Sequence, residues 1–518
     1  RVVQRLAAEP APATPLTGAL RFELYDVAWN EPRTGRAVAR AAALIGALDL
    51  SALHAGNVLI EPLEARQPDV IVERRPGDAE WNFERILEDA LNGGADDRRT
   101  DAADGGRRIE IRTLTIRDGR VDVRSPDSRY LFESVDAVLP RATLAAPDAS
   151  APEFLVRTLA TRVIPPGDVP PLPVALSDAR VRLPEGGVAF TAAAATVWES
   201  EFAEIAGAWR SDAPGLGVEG RLRARRLRFA DVDFLTPQLP AEGEAAFVLA
   251  LEAGPGARST ATVTELVARA PGSEVRGGFA VDFGGGAGVR LLSADLLLDP
   301  LDLAVLEPFT GTLPYTGAIT GRLAGTAAEL RLDAVARLTA PELAEPFTID
   351  LEAAAAWPET GLELRLLVLG LQDVPLAALE PVVPAIPFTG TVDGTIMARG
   401  SPADVPLELD VSLAFDEGTA TLAGVVDLTG EGVRYDVAGT VTGVPLAAVL
   451  ADAPPVVVNA NYRVEGQGFD PGTMDARFLL EGGFAGWRAQ PGDPLLVAGA
   501  LVGGEFALDR ATLRLATL

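Results

Sequence analysis

Few residues in this sequence could carry out catalysis. Among its 518 residues there is one histidine, His54, and no cysteine. The absence of cysteine excludes a thiol nucleophile, an iron–sulfur cluster and a cysteine-based zinc site. One histidine cannot form a multi-histidine metal site, and no serine or cysteine nucleophile motif accompanies it. We therefore expect a structural or exposed role for His54, in a loop between strands.

Glycine and acidic residues are plentiful, but their patterns are not those of catalytic sites. The glycine-rich segment 284–288 lacks the Gly-Lys-Ser/Thr of a phosphate-binding loop, so we predict a hairpin turn there. The 73 acidic residues are explained by solvated strand faces. Four aspartates between 96 and 104 are interleaved with two arginines, which oppose Ca²⁺ binding. The sequence thus predicts no catalytic residue, no metal site, no cofactor and no enzymatic activity.

Charge and hydropathy limit the partners. The formal net charge is −28, which opposes binding to nucleic acid and docking through a polybasic patch on anionic lipid. No segment has the 18 or so apolar residues needed to cross a bilayer. The chain begins at Arg1 rather than Met. We expect it to be an excerpt from which a targeting or anchoring segment is missing.

Apolar residues alternate with polar ones over most of the chain. The segments 407–415 and 329–338 are clear examples, each with one apolar and one charged face. This period of two is typical of strands in a sheet with one wet side. Glycine and proline separate the segments at short intervals, and Asp118-Gly119 predicts a hairpin. The fold class predicted is mostly β: an elongated antiparallel sheet curled into a repeating groove, with a few short helices.

An internal repeat predicts the architecture. Leu235, Leu306, Leu379 and Val449 end similar apolar segments, at intervals of 71, 73 and 70 residues. Each is followed by a proline-containing stretch and a new strand pattern. A unit of this length allows about five strands of ordinary length, with the Leu-Ala-Ala-Leu part as a short helical turn.

The repeat and a flexible segment divide the chain. We predict an N-terminal unit over 1–92, with a short helix at 82–91 capped by Asn82 and docked through Trp81 and Phe83. The acidic and arginine-rich segment 93–106 is expected to be a loop. The first groove strands follow at 107–217, and about four repeats of 70–73 residues occupy 218–518.

A sheet with one apolar face must cover that face with helices, another sheet, its own curvature or a ligand. Too few helices are predicted to cover this one, and aromatic residues are only 6% of the chain. An aliphatic trough suits acyl chains, although a closed sandwich core would give the same alternation. The candidate groove residues are Leu222, Phe247, Leu249, Leu330, Leu332, Leu364, Leu366, Leu409, Val411, Leu413, Phe415 and Phe478.

The N-terminal motifs resemble those of the AsmA-like/TamB superfamily of bacterial envelope proteins, relatives of the bridge-like lipid transfer proteins. The family pattern runs through Asp-Leu, Leu-x-Gly, Pro-x-Val-x-Val and Gly-x-Trp-Asn-[Phe/Leu]-x-x-[Leu/Ile]-Leu. These motifs appear at 48–50, 53–56, 68–72 and 77–87, the last with two extra residues before Trp81. The strand pair at 109–123 is also similar. The match covers about residues 18–125, whereas the repeats agree only in style.

The resemblance implies a β-groove in the periplasm of a Gram-negative envelope, anchored to the inner membrane by a helix preceding Arg1. It implies phospholipid as the partner, carried by a non-enzymatic conduit between the inner and outer membranes. The alternative is a periplasmic scaffold that assists outer-membrane protein assembly or secretion through exposed β-edges, with a barrel or other envelope protein as partner. A hydrolytic or carbohydrate-active β-solenoid would need paired carboxylates and exposed aromatics in one cleft, for which no motif is present.

Overall fold

The computed structural model places most of the chain. It describes residues 18–31, 35–55, 57–74, 82, 109–125, 129–145, 153–165, 169–182, 184, 187–210, 218–234, 236–253, 258–284, 289–341, 343, 345–356, 363–379, 391–400, 406–415, 418–427, 433–445, 456–468, 474–486, 489–502 and 505–513. The chain forms two compact units, 1–264 and 265–518.

Strands dominate both units, and each is built on the alternation seen in the sequence. The first unit contains β1 (Ala19–Asn30), β2 (Ala37–Asp49), β3 (Val58–Arg66), β4 (Asp69–Glu73), β5 (Ile109–Ile111), β6 (Leu114–Arg124), β7 (Arg129–Leu139), β8 (Arg141–Ala145), β9 (Glu153–Ile164), β10 (Leu172–Arg182), β11 (Gly187–Val197), β12 (Ser200–Arg210), β13 (Val218–Arg228) and β14 (Glu244–Ala253). The unit boundary falls inside β15 (Arg258–Ala270).

The second unit continues with longer strands of the same kind. They are β16 (Ser273–Gly284), β17 (Arg290–Asp302), β18 (Thr316–Thr326), β19 (Glu329–Thr339), β20 (Phe347–Ala356), β21 (Glu363–Pro375), β22 (Thr391–Arg399), β23 (Leu407–Phe415), β24 (Gly418–Asp427), β25 (Arg434–Pro445), β26 (Val456–Gln467), β27 (Asp475–Gly486), β28 (Ala489–Val502) and β29 (Glu505–Leu513). The predicted mostly β, antiparallel fold with repeated strands and few helices is confirmed.

Consecutive strands pair antiparallel from β9 to β14 and again from β16 to β29. The segment 284–288, predicted to be a hairpin turn, lies outside the described residues except for Gly284, and the flanking strands β16 and β17 pair antiparallel. The N-terminal strands differ, because β3 and β4 pair in parallel with β5 and β6. Strands on either side of 93–106 therefore belong to the same compact unit.

The helices are short. α1 (Leu50–His54) is capped by Asp49, whose carboxylate accepts hydrogen bonds from the amides of Ser51 and Ala52; this cap turns a predicted loop into a helix that ends at His54. α2 is Glu307–Thr310, and 3₁₀ turns lie at Phe229–Asp231, Leu303–Val305 and Leu376–Leu379. The last of these is the predicted Leu-Ala-Ala-Leu turn. None of the helices in the described residues is long and apolar enough to cross a membrane.

The predicted 82–91 helix, Trp81 and Phe83 lie outside the described residues, except for Asn82. The Asn82 side chain is buried, donates to the Ile71 carbonyl at 2.7 Å and accepts from the Glu73 amide at 2.9 Å. These are the two groups that a neighbouring strand would otherwise satisfy along β4. Asn82 therefore completes the backbone hydrogen bonding of a strand.

Among the described strands, seven contain one non-glycine residue in the left-handed conformation, with φ between 48° and 54°. These residues are Asp26, Asp118, Ser134, Asp178, Glu204, Glu265 and Asp373. In every case an apolar residue lies two positions earlier, and an apolar residue or glycine lies one position later. The alternation therefore changes phase at this residue while the same face of the sheet stays apolar.

The Asp118-Gly119 dipeptide is one of these bulges, so the predicted hairpin there is wrong. β6 runs through it from Leu114 to Arg124. Asp118 can adopt the left-handed conformation at low cost. Its amide donates to the Asp136 carboxylate on β7 at 3.1 Å. A side chain thus satisfies a backbone donor that the broken ladder leaves unpaired.

The repeat appears as a recurring irregularity of register. The ladders slip between 224 and 227 in β13, 298 and 301 in β17, 371 and 374 in β21, and 441 and 444 in β25. The intervals are 74, 73 and 70 residues, close to those of the sequence repeat. Each repeat holds four strands rather than the five expected, because most strands are longer than the ordinary five or six residues.

One crossing segment packs onto the sheet it follows. Residues Leu303, Leu306, Leu313 and Tyr315, between β17 and β18, pack in a cluster with Phe347. Strand residues in this cluster include Leu371, Val374 and Val392, which are 3%, 0% and 0% exposed. The Tyr315 hydroxyl donates to the Ala378 carbonyl at 2.9 Å in the next 3₁₀ turn, and burial raises the pKa of that phenol. This crossing covers part of the apolar face.

Candidate ligand-binding face

The most extensive candidate site is the apolar face of the second unit. One row of directly opposed residues crosses all fourteen strands from β16 to β29, a path of about 60 Å at the usual strand spacing. Each member is aliphatic, aromatic or glycine. The row consists of Gly277, Leu296, Leu323, Leu332, Ala353, Leu367, Ala398, Leu409, Gly424, Val437, Val464, Phe478, Gly499 and Leu508.

Many large side chains on this face are only half-buried. On β23 and β24 the residues Leu409, Val411, Leu413 and Leu422 all retain part of their accessible surface. A filled sandwich core would bury such residues almost completely. Apart from the region under the crossing segments, the face thus has apolar surface available to a ligand.

Aromatic side chains on both units lie against glycines of the neighbouring strand. A Cβ atom added at Gly46, Gly207 or Gly499 would come within 2.7–2.8 Å of the rings of Phe22, Phe190 or Phe478. Each pair is directly opposed in its ladder. Because glycine has no side chain, the ring can rest against the sheet. The ring therefore occupies the space that a larger side chain on the neighbouring strand would take, and it projects less from the sheet.

The first unit has an open apolar face as well. Phe190 lies between Val181 and Gly207 in neighbouring strands, yet 37% of it is exposed. Trp209 is opposite Val188 on the same face. Sequence reasoning missed these two aromatic residues, although the alternation of Val188 and Phe190 was available as a signal.

The structure brings most of the predicted groove residues onto these faces. Leu222 is opposite Leu249, and Phe247 is opposite Ala224, all on one face of β13 and β14. In the second unit the predicted residues on the apolar face are Leu330, Leu332, Leu409, Val411, Leu413 and Phe478. Leu330 is buried, at 7% exposure, whereas the others are half-buried. For Leu364 and Phe415 only the register is described: they are opposite Ala355 and Gly418.

Leu366 lies on the other face. It is opposite Ala354, which shares a face with Glu352, whereas Leu367 is opposite Ala353 on the apolar face. The ladder slips between Ala354 and Ala355, so the phase predicted for β21 is wrong after Leu364. The residues missed as a result are Leu367, Leu369 and Leu371. Only the strand partner reveals this phase, because residues 366–371 of β21 are all aliphatic or glycine.

The opposite face carries the charge. Arginine and carboxylate side chains pair there across neighbouring strands, as Arg322 does with Asp295 at 2.8 Å and Arg463 with Asp436 at 2.8 Å. These groups are exposed, so each pair contributes little to stability. The charged side chains keep this face in water.

The ion pairs of Asp122 join a buried carboxylate to two partly exposed arginines. The Asp122 carboxylate is 4% exposed and accepts hydrogen bonds from Arg124 and Arg129 at 2.6 Å. Hydrogen bonds from Arg124 and then Arg129 hold the pKa of Asp122 well below its usual range. The cluster joins β6 to β7 and has a structural role.

The described side chains of these apolar faces are suited to contact with apolar groups. The described residues include no group of three or more histidine, cysteine or acidic side chains that could hold a metal ion. His54 is exposed at the end of α1. What the arrangement can do is bury apolar groups of a ligand, at about 0.8 kcal/mol for each CH₂.

The chain was compared with family models, curated proteins and solved structures, and none of them matches it.

Proposed function

We propose that the protein is a non-enzymatic carrier of phospholipid, with acyl chains on the apolar face and headgroups in water. The observation that carries this proposal is the uninterrupted apolar row across β16–β29, on a face whose large side chains are only half-buried. Large exposed apolar patches mark interaction sites or ligand-binding grooves. Acyl chains can cover this face without demanding polar partners.

The N-terminal motif resemblance supports the same proposal. It gives the site of action as the periplasm of a Gram-negative envelope and the route as one between the inner and outer membranes. A continuous row allows an acyl chain to move from strand to strand with little change in its surroundings, which suits transfer better than tight storage.

The test is to identify bound lipid and locate it. The full chain, purified from Gram-negative cells in mild detergent, should release phospholipid detectable by mass spectrometry. A phospholipid with a photoreactive group at the end of its acyl chain should cross-link to apolar-face residues such as Leu332 and Val411. Residues of the charged face should remain unlabelled.

A matched pair of substitutions separates binding from folding. Leu332→Asp places a carboxylate on the apolar face of β19, and we expect it to reduce recovered lipid several-fold. Val335→Asp is the control, since Val335 is 43% exposed on the opposite face of the same strand. If the wild type carries no lipid, or cross-links appear equally on both faces, the proposal fails.

The scaffold alternative has one observation in its favour. Among the described residues β1 pairs only with β2, so the twelve-residue strand Ala19–Asn30 has a free edge. A client strand could add to it. Against this, the bulge at Asp26 interrupts the edge, a feature that discourages strand addition. Loss of function from proline substitutions at the edge, with lipid recovery unchanged, would favour the scaffold.

A further inference from the structure

The apolar face of the second unit is covered at one margin and open towards the other. The crossing margin holds the β17–β18 and β21–β22 connections, and the turn margin holds the β18–β19 and β22–β23 connections. On β20, Phe347 lies at the crossing margin and is 5% exposed. The apolar-face residues that follow it towards the turn margin are all half-buried: Ile349, Leu351, Ala353 and Ala355. β21 shows the same change, because Leu371 is 3% exposed and Leu369 is half-buried.

The cover at the crossing margin is apolar and already packed. Leu303, Leu306 and Leu313 of the β17–β18 crossing belong to one cluster with the buried strand residues there. The Tyr315 hydroxyl in the same cluster donates to the Ala378 carbonyl at 2.9 Å. A polar headgroup against this cover would lose water and meet apolar side chains. The methyl end of an acyl chain has no such cost.

The open part of the face has the length of one acyl chain. From Ile349 to Ala355 the strand advances six residues, or about 20 Å at the usual rise of a strand. The hydrocarbon core of a bilayer is about 30 Å thick, so the acyl chains of one leaflet span about 15 Å. An acyl chain laid along a strand therefore fits between the cover and the turn margin. In this orientation a lipid moves sideways along the apolar row, from one strand to the next.

Charge differs between the two margins of β16–β23. Among side chains that the structure describes, in a connection or in the three end residues of a strand, the turn margin has four arginines and three carboxylates. They are Arg290, Arg331, Arg365 and Arg399, with Asp282, Glu329 and Glu408. By the same criterion the crossing margin has six carboxylates and one arginine. They are Glu274, Asp302, Glu307, Glu345, Asp373 and Asp393, with Arg337. A phosphate is therefore favoured at the turn margin, where arginines can bind it.

We infer that each bound phospholipid lies along the strands, with its acyl ends against the crossing cover and its phosphate at the arginines of the turn margin. This orientation rests on the proposed function, and it adds the residues that hold the phosphate. Arg331 is 73% exposed near the turn end of β19, and Arg399 is the last residue of β22. Their long side chains can reach a headgroup at the edge of the apolar face.

The first test locates the headgroup. The full chain is loaded with a phospholipid that carries a photoreactive group in its headgroup. Cross-links should fall at the turn margin, for example on Thr326, Glu329 and Arg399, and not on Glu307 or Glu345 at the crossing margin. Cross-links mainly at the crossing margin, or equally at both margins, overturn the orientation. The acyl-end probe labels the apolar face in either orientation, so it tests the proposed function separately.

A matched pair of charge reversals tests the arginines. Arg331→Glu combined with Arg399→Glu reverses two charges at the turn margin, and the phospholipid recovered with the purified chain should fall at least threefold. The control combines Arg276→Glu with Arg337→Glu, which reverses two exposed charges close to the crossing margin. Recovery from the control should equal that from the wild type, and an equal loss in both double variants overturns the role of the arginines.

The two double variants disturb similar contacts, because Arg276 pairs with Glu274 as Arg331 does with Glu329. If one of them is less stable, headgroup cross-linking on the wild type still decides the orientation. A wild type without bound phospholipid overturns the proposed function and this orientation with it. Bound phospholipid with its headgroup at the crossing margin overturns the orientation alone.

Discussion

At the scale of single residues, Asp122 is a buried carboxylate held by two arginines. Its partners Arg124 and Arg129 are 41% and 57% exposed, yet the carboxylate itself has almost no access to water. A buried charge is tolerated only when it is paired and hydrogen-bonded. The sequence shows Asp122, Arg124 and Arg129 close together, but not that the antiparallel pairing of β6 and β7 brings Arg129 to the carboxylate.

Replacing Asp122 should loosen the β6–β7 pair. Asp122→Asn removes the charge-assisted hydrogen bonds, and we expect a loss of about 1.5–3 kcal/mol. Hydrogen exchange of residues 121–132 at pH 7 should accelerate about tenfold or more. The control is Asp295→Asn, which removes an exposed pair with Arg322 and should cost under about 1 kcal/mol. Equal effects of the two substitutions would contradict the assignment.

The same pair should make stability depend on pH. The pKa of Asp122 is depressed in the folded protein, and in the unfolded chain it is about 3.9. Its contribution is therefore fully present above about pH 4 and is lost as the pH falls towards the folded pKa. The difference in thermal midpoint between wild type and Asp122→Asn should shrink below pH 4. A constant difference down to pH 2.5 would contradict the linkage.

At the scale of elements, the left-handed residues explain why strand prediction from alternation succeeds only in part. A search for a fixed period of two finds the segment before Asp118 and the segment after it, and inserts a turn between them. The structure continues the strand and changes its phase. The sequence does contain a four-residue pattern for these bulges. An apolar residue and any residue precede the left-handed residue, which is acidic or serine, and an apolar residue or glycine follows it. The meaning of this pattern depends on the partner strand, as the misplaced phase at Leu366 also shows.

A substitution at one bulge tests this explanation. Asp178 lies in β10 with φ of 48° and is exposed. Asp178→Ile places a β-branched residue in the left-handed conformation and should destabilise the first unit by about 1–2 kcal/mol. Asp178→Gly should be neutral or nearly so, because glycine adopts this conformation readily. Hydrogen exchange in β10 and β11 provides the measurement, and equal exchange in the two variants would refute the role of the bulge.

At the scale of the whole molecule, the sequence repeat predicted a modular sheet and the interval of its modules. It could not predict four strands per module, because ordinary strand lengths led to five. Nor could alternation decide whether the apolar face was open, since a closed core has the same pattern. The half-buried face and the aromatic–glycine pairs depend on neighbours that are distant in sequence.

Removal of one full module should leave a folded protein. Deleting residues 321–393 joins Thr320 to Gly394, which takes the place of the equivalent Gly321, and preserves strand direction because four strands are lost. We expect a soluble chain with an unchanged type of β-sheet circular dichroism spectrum. Deleting the single strand β19 with its turn, 327–340, reverses the direction of all later strands and should prevent folding. Failure of the first deletion, or success of the second, would contradict a four-strand module.

The bulges also bear on how such a chain can change length. In a regular strand, one inserted residue turns every later side chain to the wrong face. Next to a left-handed residue the phase is already adjustable, so a gained or lost residue can be absorbed locally. Modules of 70, 73 and 74 residues can then coexist in one chain, with the apolar face and the charged face of the sheet kept on the same sides throughout. The bulges thus make the chain tolerant of insertions and deletions. Residues could be added next to a bulge without changing which face of the strand is apolar.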